Sequence, residues 1–551
     1  MAFRAAPAWR RSAYLAAKAL CPVRLAQSML FLTGLSGSGV DTASFTSENH
    51  MDHSSLGSHP STTQAQTARK WWILIAVGLC LFLGSVDGSI INVAVPTLIV
   101  KLNTDFPTVQ WVILSYLLGL ALLLVGMGRL ADMVGKKRIF VLGIALFLLG
   151  SALCGLAPSV YWLIGFRVLQ SIGAAMVIAL GTAILTETWP SHERGTALGF
   201  AAGFISLGIV IGPAVGGIIL NYLSWRWIFY VNVPVGLISF VLSLIFLPPM
   251  QPTGRRERFD FAGAVAMGIG LLAFTLALTV GQNVGFGDPL ILLLLAIGAV
   301  ALPAFIWIET HVRFPMVDLS LFREPEFSLN LFTATLAFIA IAGIVLLLPF
   351  YLELVLKLPL SQVGLLMAVV PVLMILLQPA SGTLSDRLGT RPVSMVGLLF
   401  IFAGYVAMTT LRVDGTPLGY VLRMLPVTIG MATFNSPNNS AIMGAVPRAR
   451  LGVASGILSM VRTLGQVTGI AALGAFFTTR VVHYSGAAVD LSVADPNAIV
   501  SALHDQFMVV AGLILLGIVV AGLTWRWEIR TGRTKKAARQ RAAEQPIIDS
   551  V

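Results

Sequence analysis

The sequence predicts an all-α integral membrane protein of about fourteen spanning helices, arranged as two six-helix bundles with two helices inserted between them. Of its 551 residues, 57% are hydrophobic and only 11% are charged, whereas a soluble domain carries about 25% charged residues. Apolar runs of about 20 residues, long enough to span a bilayer, recur from Trp71 to Trp525. A basic loop occurs twice, as GRLADMVGKKR (Gly128–Arg138) and, in weaker form, as GTLSDRLGTRP (Gly382–Pro392). Such a repeat at matching points of two hydrophobic halves indicates an internally duplicated transporter.

The order of the apolar runs gives the domain organisation. Spans are predicted at 71–97, 110–128, 139–157, 161–188, 198–220, 228–248, 261–281, 289–308, 328–350, 362–382, 393–411, 419–444, 453–478 and 507–527. The two loop copies follow spans 2 and 10, which is two spans more than two six-helix halves would give, so spans 7 and 8 are the insertion. The predicted units are an N-terminal extension (1–70), a six-helix bundle (71–250), a two-helix linker (251–327), a second six-helix bundle (328–528) and a basic tail (529–551).

Lys and Arg collect in alternate loops, which predicts the orientation. One set of loops carries Arg129, Lys136, Lys137, Arg138, Arg194, Arg255, Arg256, Arg258, Arg313, Arg323, Arg387, Arg391, Arg448 and Arg450, and the other carries Lys101, Arg226, Lys357, Arg412 and Arg480. The positive-inside rule places the first set and both termini in the cytoplasm, with the chain in the inner (plasma) membrane. Because topology explains the net charge of +12, no nucleic-acid partner is expected.

The N-terminal extension differs from the rest. Residues 51–70 are polar and rich in Ser and Thr, so we expect them to be disordered. Met51 begins a plausible complete chain, and we expect residues 1–50 to be an upstream mis-start or a dispensable extension.

Two charges inside predicted spans are the main candidates for function. Asp87 lies in SVDGSIINVAVP with Asn92 one turn on, and Arg167 lies in LIGFRVLQSIGAA. A charge at mid-bilayer costs roughly 2.5–3.5 kcal/mol and usually has a function, although a helix-end carboxylate hydrated by water is the alternative. At about 1.5 Å per residue, Asp87 and Arg167 lie roughly 15 Å and 10 Å from the outer ends of their spans. We therefore expect them to face one aqueous cavity and to influence each other's charge.

Glycines mark two further features. The predicted gating loop comprises Gly128, Arg129, Asp132, Gly135, Lys136 and Arg138, with Gly382, Asp386, Arg387, Gly389 and Arg391 in the second copy. An ordinary topogenic loop explains the charges but not the returning Gly and Asp. Span 5 carries Gly208, Gly212, Pro213, Gly216 and Gly217, a stripe that allows tight helix packing beside a proline bend, and any mechanistic role would act through that packing.

Other polar groups in or near spans are candidates to line the cavity or to bond between helices. They are Gln170, Glu187, Gln378, Arg423, Asn435, Asn438, Asn439, Arg462 and Gln466. The sequence has no phosphate-binding loop, paired catalytic carboxylates or metal-ligand cluster. We therefore expect no enzyme activity, cofactor or metal.

These motifs together resemble the major facilitator superfamily, in particular its fourteen-helix drug:proton antiporters, over roughly residues 70–530. The resemblance rests on Asp87, Asn92 and Pro96 in helix 1, Gly128–Arg138, Leu163–Ala175, Gly208–Gly217, Ser224–Gly236 and Phe434–Ile457. It implies alternating access and export of amphipathic, often cationic compounds in exchange for protons. It also implies that Asp87 carries a proton or recognises a cation, that Arg167 is the coupling arginine, and that Arg129 and Asp132 belong to a gate.

Two alternatives stay open at this point. One is an exporter of a single metabolite or natural product on the same scaffold. The other, from a different class, is a non-transporting membrane receptor or sensor, although a sensor needs neither the glycine loops nor Asp87. The sequence does not identify the substrate, the proton stoichiometry, the oligomeric state or any envelope partner protein.

Overall fold

The computed structural model describes residues 62–190, 193–250, 260–312, 315, 317, 319–447, 450–486, 491 and 494–531. The predictions for residues 1–61, for Arg255–Arg258 and for the tail beyond residue 531 lie outside the described residues. Within the described part there are fourteen long helices. They are α1 (Thr62–Leu102), α2 (Phe106–Val134), α3 (Lys136–Leu156), α4 (Val160–Thr188), α5 (Arg194–Tyr222), α6 (Trp227–Tyr230 and Asn232–Phe246), α7 (Phe261–Val284), α8 (Pro289–His311), α9 (Pro325–Phe350), α10 (Leu360–Leu388), α11 (Thr390–Met408), α12 (Pro417–Gly444), α13 (Leu451–Ser485) and α14 (Pro496–Thr531).

Thirteen of these helices are long and apolar enough to cross a membrane. The other helix, α12, packs along α10 and α11 as a member of the second bundle. Its hydropathy is lower because its sequence contains Arg423, Asn435, Asn438 and Asn439. An all-helical fold of this size, apolar along nearly every helix, confirms the predicted class of membrane protein.

Local sequence signals set the helix bounds. Asp105 caps α2, since its side chain accepts a hydrogen bond from the Thr108 backbone N–H (2.9 Å) and Pro107 occupies the first turn. Gly135, at φ +109°, ends α2 and precedes α3, and Gly389, at φ +91°, does the same between α10 and α11. Both conformations strain a residue with a side chain, which explains the glycine at this point of both loop copies.

The helices form two bundles, α1–α6 and α9–α14, that share a hydrophobic core at one end only. The basic end is the end with Gly135 and Gly389, and the opposite end is the end with Asn103 and Lys357. In the opposite half, one core includes Phe106 of α2, Phe350 of α9 and Phe477 of α13. In the basic half each bundle has its own core.

Backbone contact closes the opposite end. A Cβ added to Gly217 of α5 would lie 2.4 Å from the carbonyl oxygen of Leu360, and one added to Gly364 of α10 would lie 2.3 Å from that of Pro213. In the basic half of α5, by contrast, a Cβ on Gly203 would meet no atom within 4 Å. The bundles therefore meet at the opposite end and separate toward the basic end.

The inserted helix α7 packs against both α2 and α13. Gln282 of α7 donates to the Gln110 side-chain oxygen of α2 (3.2 Å) and accepts from the Thr478 hydroxyl of α13 (3.1 Å). A third bond runs from the Trp111 indole N–H to the Thr279 hydroxyl (3.0 Å). One side chain of the insertion thus bridges the two bundles near the opposite end.

Candidate functional site

Asp87 and Arg167 form an ion pair in the interior of the first bundle. The Arg167 Nη1 donates to Asp87 Oδ2 at 2.6 Å, and the two side chains are 0% and 1% exposed, respectively. The Arg167 Nε also donates to the backbone carbonyl of Val112 (3.0 Å). Both charges lie inside their helices, α1 and α4, and their contact shows that the two depths are compatible, as the sequence predicts.

Two neutral side chains complete the shell around the carboxylate. The Asp87 Oδ1 accepts from Gln170 Nε2 (2.8 Å) and from Asn232 Nδ2 (3.0 Å). The Gln170 Oε1 in turn accepts from Arg167 Nη1 (2.9 Å), which fixes the orientation of the amide. Asn232 also donates to the hydroxyl of Ser151 (3.1 Å), and that hydroxyl donates to the Phe229 carbonyl (2.9 Å).

This shell supplies the hydrogen-bond partners that a buried carboxylate needs. Three donors face its two oxygens, and one of them belongs to a cation. Hydrogen bonds to a carboxylate stabilise its ionised form, and a buried charge needs such partners. Neither Asn232 nor Ser151 is predicted by the sequence, because a neutral polar residue in a span gives no signal that separates this role from ordinary helix packing.

A central cavity of about 360 Å³ lies between the bundles, at mid-depth of the helices. Pockets of about 300–1,000 Å³ hold drug-sized ligands. Most of the wall is apolar, with methionines Met367, Met374, Met424 and Met431 from α10 and α12. Polar groups on the wall include Asn92 of α1, Asn435 of α12 and Gln466 of α13.

The ion pair lies behind the cavity wall. Neither Asp87 nor Arg167 is among the lining residues, whereas Tyr116 of α2 is, and the Arg167 guanidinium lies 4.2 Å from the centre of the Tyr116 ring. This corrects the expectation that both charges face an aqueous cavity. They do contact each other, but in this state a tyrosine ring separates Arg167 from the cavity.

The glycine stripe of α5 packs against two helices. A Cβ added to Gly208 would lie 2.5 Å from the Phe82 carbonyl oxygen, and one added to Gly216 would lie 2.7 Å from Ile90 Cγ1. Between them, a Cβ added to Gly212 would collide with the Ser89 hydroxyl. These contacts hold α5 against α1, the helix that carries Asp87. Gly217 and Pro213 face α10 instead, and Pro213 also lines the cavity.

The predicted gating loops lie at the basic end. Lys136 pairs with Glu187 of α4, while Arg138, Asp386 and Arg387 are exposed. Arg391 bonds to Asn330 and lies 3.3 Å from Glu326, both in α9. Gly128 and Gly382 lie within α2 and α10, and the side chains of Arg129 and Asp132 lie outside the described residues.

The remaining polar candidates divide between the cavity and other places. Asn435 and Gln466 line the cavity as proposed from sequence. Gln170 belongs to the Asp87 shell, and Glu187 to the pair at the basic end. Arg423 bonds to the Thr410 hydroxyl and the Gly419 carbonyl near the opposite end. Outside the cavity wall lie Gln170, Glu187, Gln378, Arg423, Asn438, Asn439 and Arg462.

Comparison with known proteins identifies the family. The model of the Major Facilitator Superfamily matches residues 77–470. The chain is 29% identical to the riboflavin transporter RibZ of Clostridioides difficile over 82% of this chain and 97% of that protein. It is 32% identical to the multidrug resistance protein Stp of Mycobacterium tuberculosis over 77% of this chain and 79% of that protein.

A solved structure supports the same fold. A bacterial homolog of the human lysosomal transporter Spinster, in an inward-facing and unoccupied conformation, superposes with a TM-score of 0.60 at 19% identity, over 85% of this chain and 98% of that one. The chain belongs to the major facilitator superfamily. It is therefore a multi-pass membrane transporter of small molecules and not an enzyme.

Proposed function

We propose that the chain is a proton-coupled exporter that carries amphipathic drugs or toxic compounds out of the cell by alternating access. The observation that carries the proposal is the buried Asp87 with its three donors, next to a drug-sized cavity. A carboxylate inside a membrane protein costs free energy, and residues that carry this cost usually have a function. The proton gradient would drive the cycle, and no cofactor is needed.

The orientation is part of the proposal. The basic end faces the cytoplasm by the positive-inside rule, so the bundles, which meet only at the opposite end, are open to the cytoplasm. In this state Asp87 is paired with Arg167. Protonation from the outer side would remove the charge that Arg167 and Asn232 bind, and would loosen α1 from α4.

A narrow-specificity exporter is the second candidate. The relative named for riboflavin favours it, and the one named for multidrug resistance favours the broad exporter. The proton-coupling residues would serve both equally. A non-transporting receptor is no longer a candidate, because the family and both relatives are transporters.

The test is proton movement caused by substrate. Everted membrane vesicles with an established pH gradient and an internal pH dye are given a panel of amphipathic compounds of different charge. We expect at least one compound to dissipate the gradient in wild type and none in Asp87→Asn. The matched control is Asp288→Asn, since Asp288 only caps α8 by accepting from the Leu290 N–H (2.8 Å).

Two outcomes would overturn the proposal in different ways. Transport of a compound without proton movement refutes proton coupling. Proton exchange that survives in Asp87→Asn leaves an antiporter but removes Asp87 from its mechanism.

A further inference from the structure

The wall of the cavity contains no charge. None of the described side chains that line it is acidic or basic. Asp87, which lies behind the wall, is neutralised by Arg167 at 2.6 Å and is 1% exposed. A cationic substrate bound in this state therefore meets no carboxylate.

Among the described residues, Arg462 is a cation beside the cavity that has no carboxylate partner. Arg462 of α13 donates from Nη2 to the Asn439 side-chain oxygen of α12, and its guanidinium lies 5.2 Å from the ring centre of Phe338, which lines the cavity. Its Nε is buried without a hydrogen-bond partner. No described carboxylate forms an ion pair with it, although charged residues within membranes usually pair.

Arg462 continues a polar strip that begins in the cavity. It lies one helical turn from Gln466 on α13, toward the basic end, and Asn439 lies one turn from Asn435 on α12. Gln466 and Asn435 line the cavity. The strip, defined as Asn435, Asn439, Arg462 and Gln466, thus runs from the cavity toward its open side with three amides, one guanidinium and no acid.

We infer that this strip is the recognition site for an anionic or strongly hydrogen-bond-accepting group of the substrate, such as a carboxylate, phenolate or enolate. The inference rests on the proposed export function and specifies its substrate class: acidic or uncharged amphiphiles rather than cations. A guanidinium binds such oxygens through directed, charge-assisted hydrogen bonds. The apolar body of the substrate packs against the methionines of α10 and α12, whose flexible side chains accept varied shapes.

The test compares two dyes with the same ring system and opposite charge. Fluorescein is an anion at neutral pH and rhodamine 123 is a cation, and both share the xanthene scaffold. Binding to the purified full chain in lipid nanodiscs is measured by fluorescence polarisation. We expect wild type to bind fluorescein more tightly than rhodamine 123.

Replacing the arginine should remove that preference. In Arg462→Gln we expect fluorescein binding to weaken roughly tenfold or more, the worth of a hydrogen bond to a charged group, and rhodamine 123 binding not to weaken. The matched control is Arg423→Gln on α12, which removes an arginine that bonds only to Thr410 and Gly419. Arg462→Lys keeps the positive charge and should keep part of the preference for fluorescein. This variant also tests the inference if Arg462→Gln does not fold.

Several results would overturn the inference. Two concern wild type: it binds no fluorescein, or it binds rhodamine 123 as tightly as fluorescein. The third is that Arg462→Gln weakens the binding of both dyes equally. Binding needs no proton gradient, so a failure of proton coupling leaves this result standing. Conversely, proton exchange with a cationic compound would support the proposed function while contradicting the substrate class.

Discussion

Replacement of Gly217 by Ala tests whether contact between α5 and α10 closes the opposite end. The new Cβ would lie 2.4 Å from the Leu360 carbonyl oxygen and 2.9 Å from the Cα of Gly364, where ordinary contact begins near 3.4 Å. Both neighbours are backbone atoms, so no side chain can rotate away. The two helices must therefore separate by about 1 Å at this point.

Overpacking of this kind costs about 1–3 kcal/mol. Under alternating access the cost falls on the state in which the opposite end is closed, because the other state separates these helices. The ratio of opposite-open to opposite-closed molecules should then rise roughly 5- to 150-fold, at tenfold per 1.4 kcal/mol. Transport should fall, because the cycle needs both states.

Spin labels at Tyr222, the last residue of α5, and at Lys357, beyond the end of α9, report the change as a distance distribution by double electron–electron resonance. We expect a longer-distance population in Gly217→Ala that is small in wild type. Gly203→Ala is the matched control, since it adds the same methyl group to the same helix where a Cβ meets no atom within 4 Å. If both variants show the wild-type distribution, the Gly217 contact does not set the balance of states.

Replacements at four further positions test other contacts. Gln282→Leu removes both bonds of the α7 bridge, and at about 0.6 kcal/mol each we expect the opposite-open population to rise roughly eightfold by the same spin labels. Asn232→Ala takes one of three donors from Asp87, so proton-driven export should fall about tenfold, as expected for a hydrogen bond to a charge. Tyr116→Phe should leave export unchanged because the hydroxyl has no partner, whereas Tyr116→Ala should raise proton leak in vesicles without substrate. Gly135→Ala places a side chain at φ +109° and should lower the free energy of unfolding by about 1–3 kcal/mol, measured by thermal denaturation.

Three of these predictions have an outcome that would contradict them. Gly128→Ala adds a methyl group where no atom lies within 4 Å, so equal loss of stability there would refute the strain at Gly135. Ser239→Ala removes another buried polar group of α6, and an equal loss of export would make Asn232 merely structural. An unchanged distance distribution in Gln282→Leu would show that the Gln282 bonds form when the opposite end is closed but do not stabilise that closed state.

Periodic and repeated features of the fold were predictable from sequence. Helix number, the duplicated loops and the insertion all follow from apolar runs of bilayer length and from a loop that occurs twice. The bounds differ most at α14, which begins at Pro496 and not near Phe507, and next at α1, which begins at Thr62 and not near Trp71. In both cases the helix extends beyond the apolar part that meets the lipid. For α12 the structure explains its polar sequence, since Asn435 lies on the cavity wall.

Only those residues of the site that carry a charge were predictable from sequence, because burying a charge in a bilayer costs free energy. Asp87 and Arg167 stand out because a charge in a bilayer needs an explanation. Asn232 and Ser151 complete the same shell, but neutral polar residues at helix interfaces are common, so position in the chain does not distinguish them. The cavity wall depends on how two bundles lean against each other, which no local pattern encodes, and this is why Arg423 was a candidate for it and Tyr116 was not.

The arrangement of charges limits how substrate and proton can be linked. A compound in the cavity touches Tyr116 and the two wall residues of the polar strip, Asn435 and Gln466. It does not touch the oxygens of Asp87, which Arg167, Gln170 and Asn232 occupy. Direct competition between substrate and proton for one carboxylate therefore does not fit this state. In the proposed proton-coupled cycle, the linkage passes through the helices that hold both sites. Helix α1 contributes Asp87 and also lines the cavity, and the glycine stripe packs it against α5, whose Gly217 contacts α10 at the opposite end. In that cycle, a change in the charge of Asp87 alters the contacts of α1 with α4. Because α1 also packs closely against α5 through the glycine stripe, the change reaches the helix that separates from α10 when the transporter changes state.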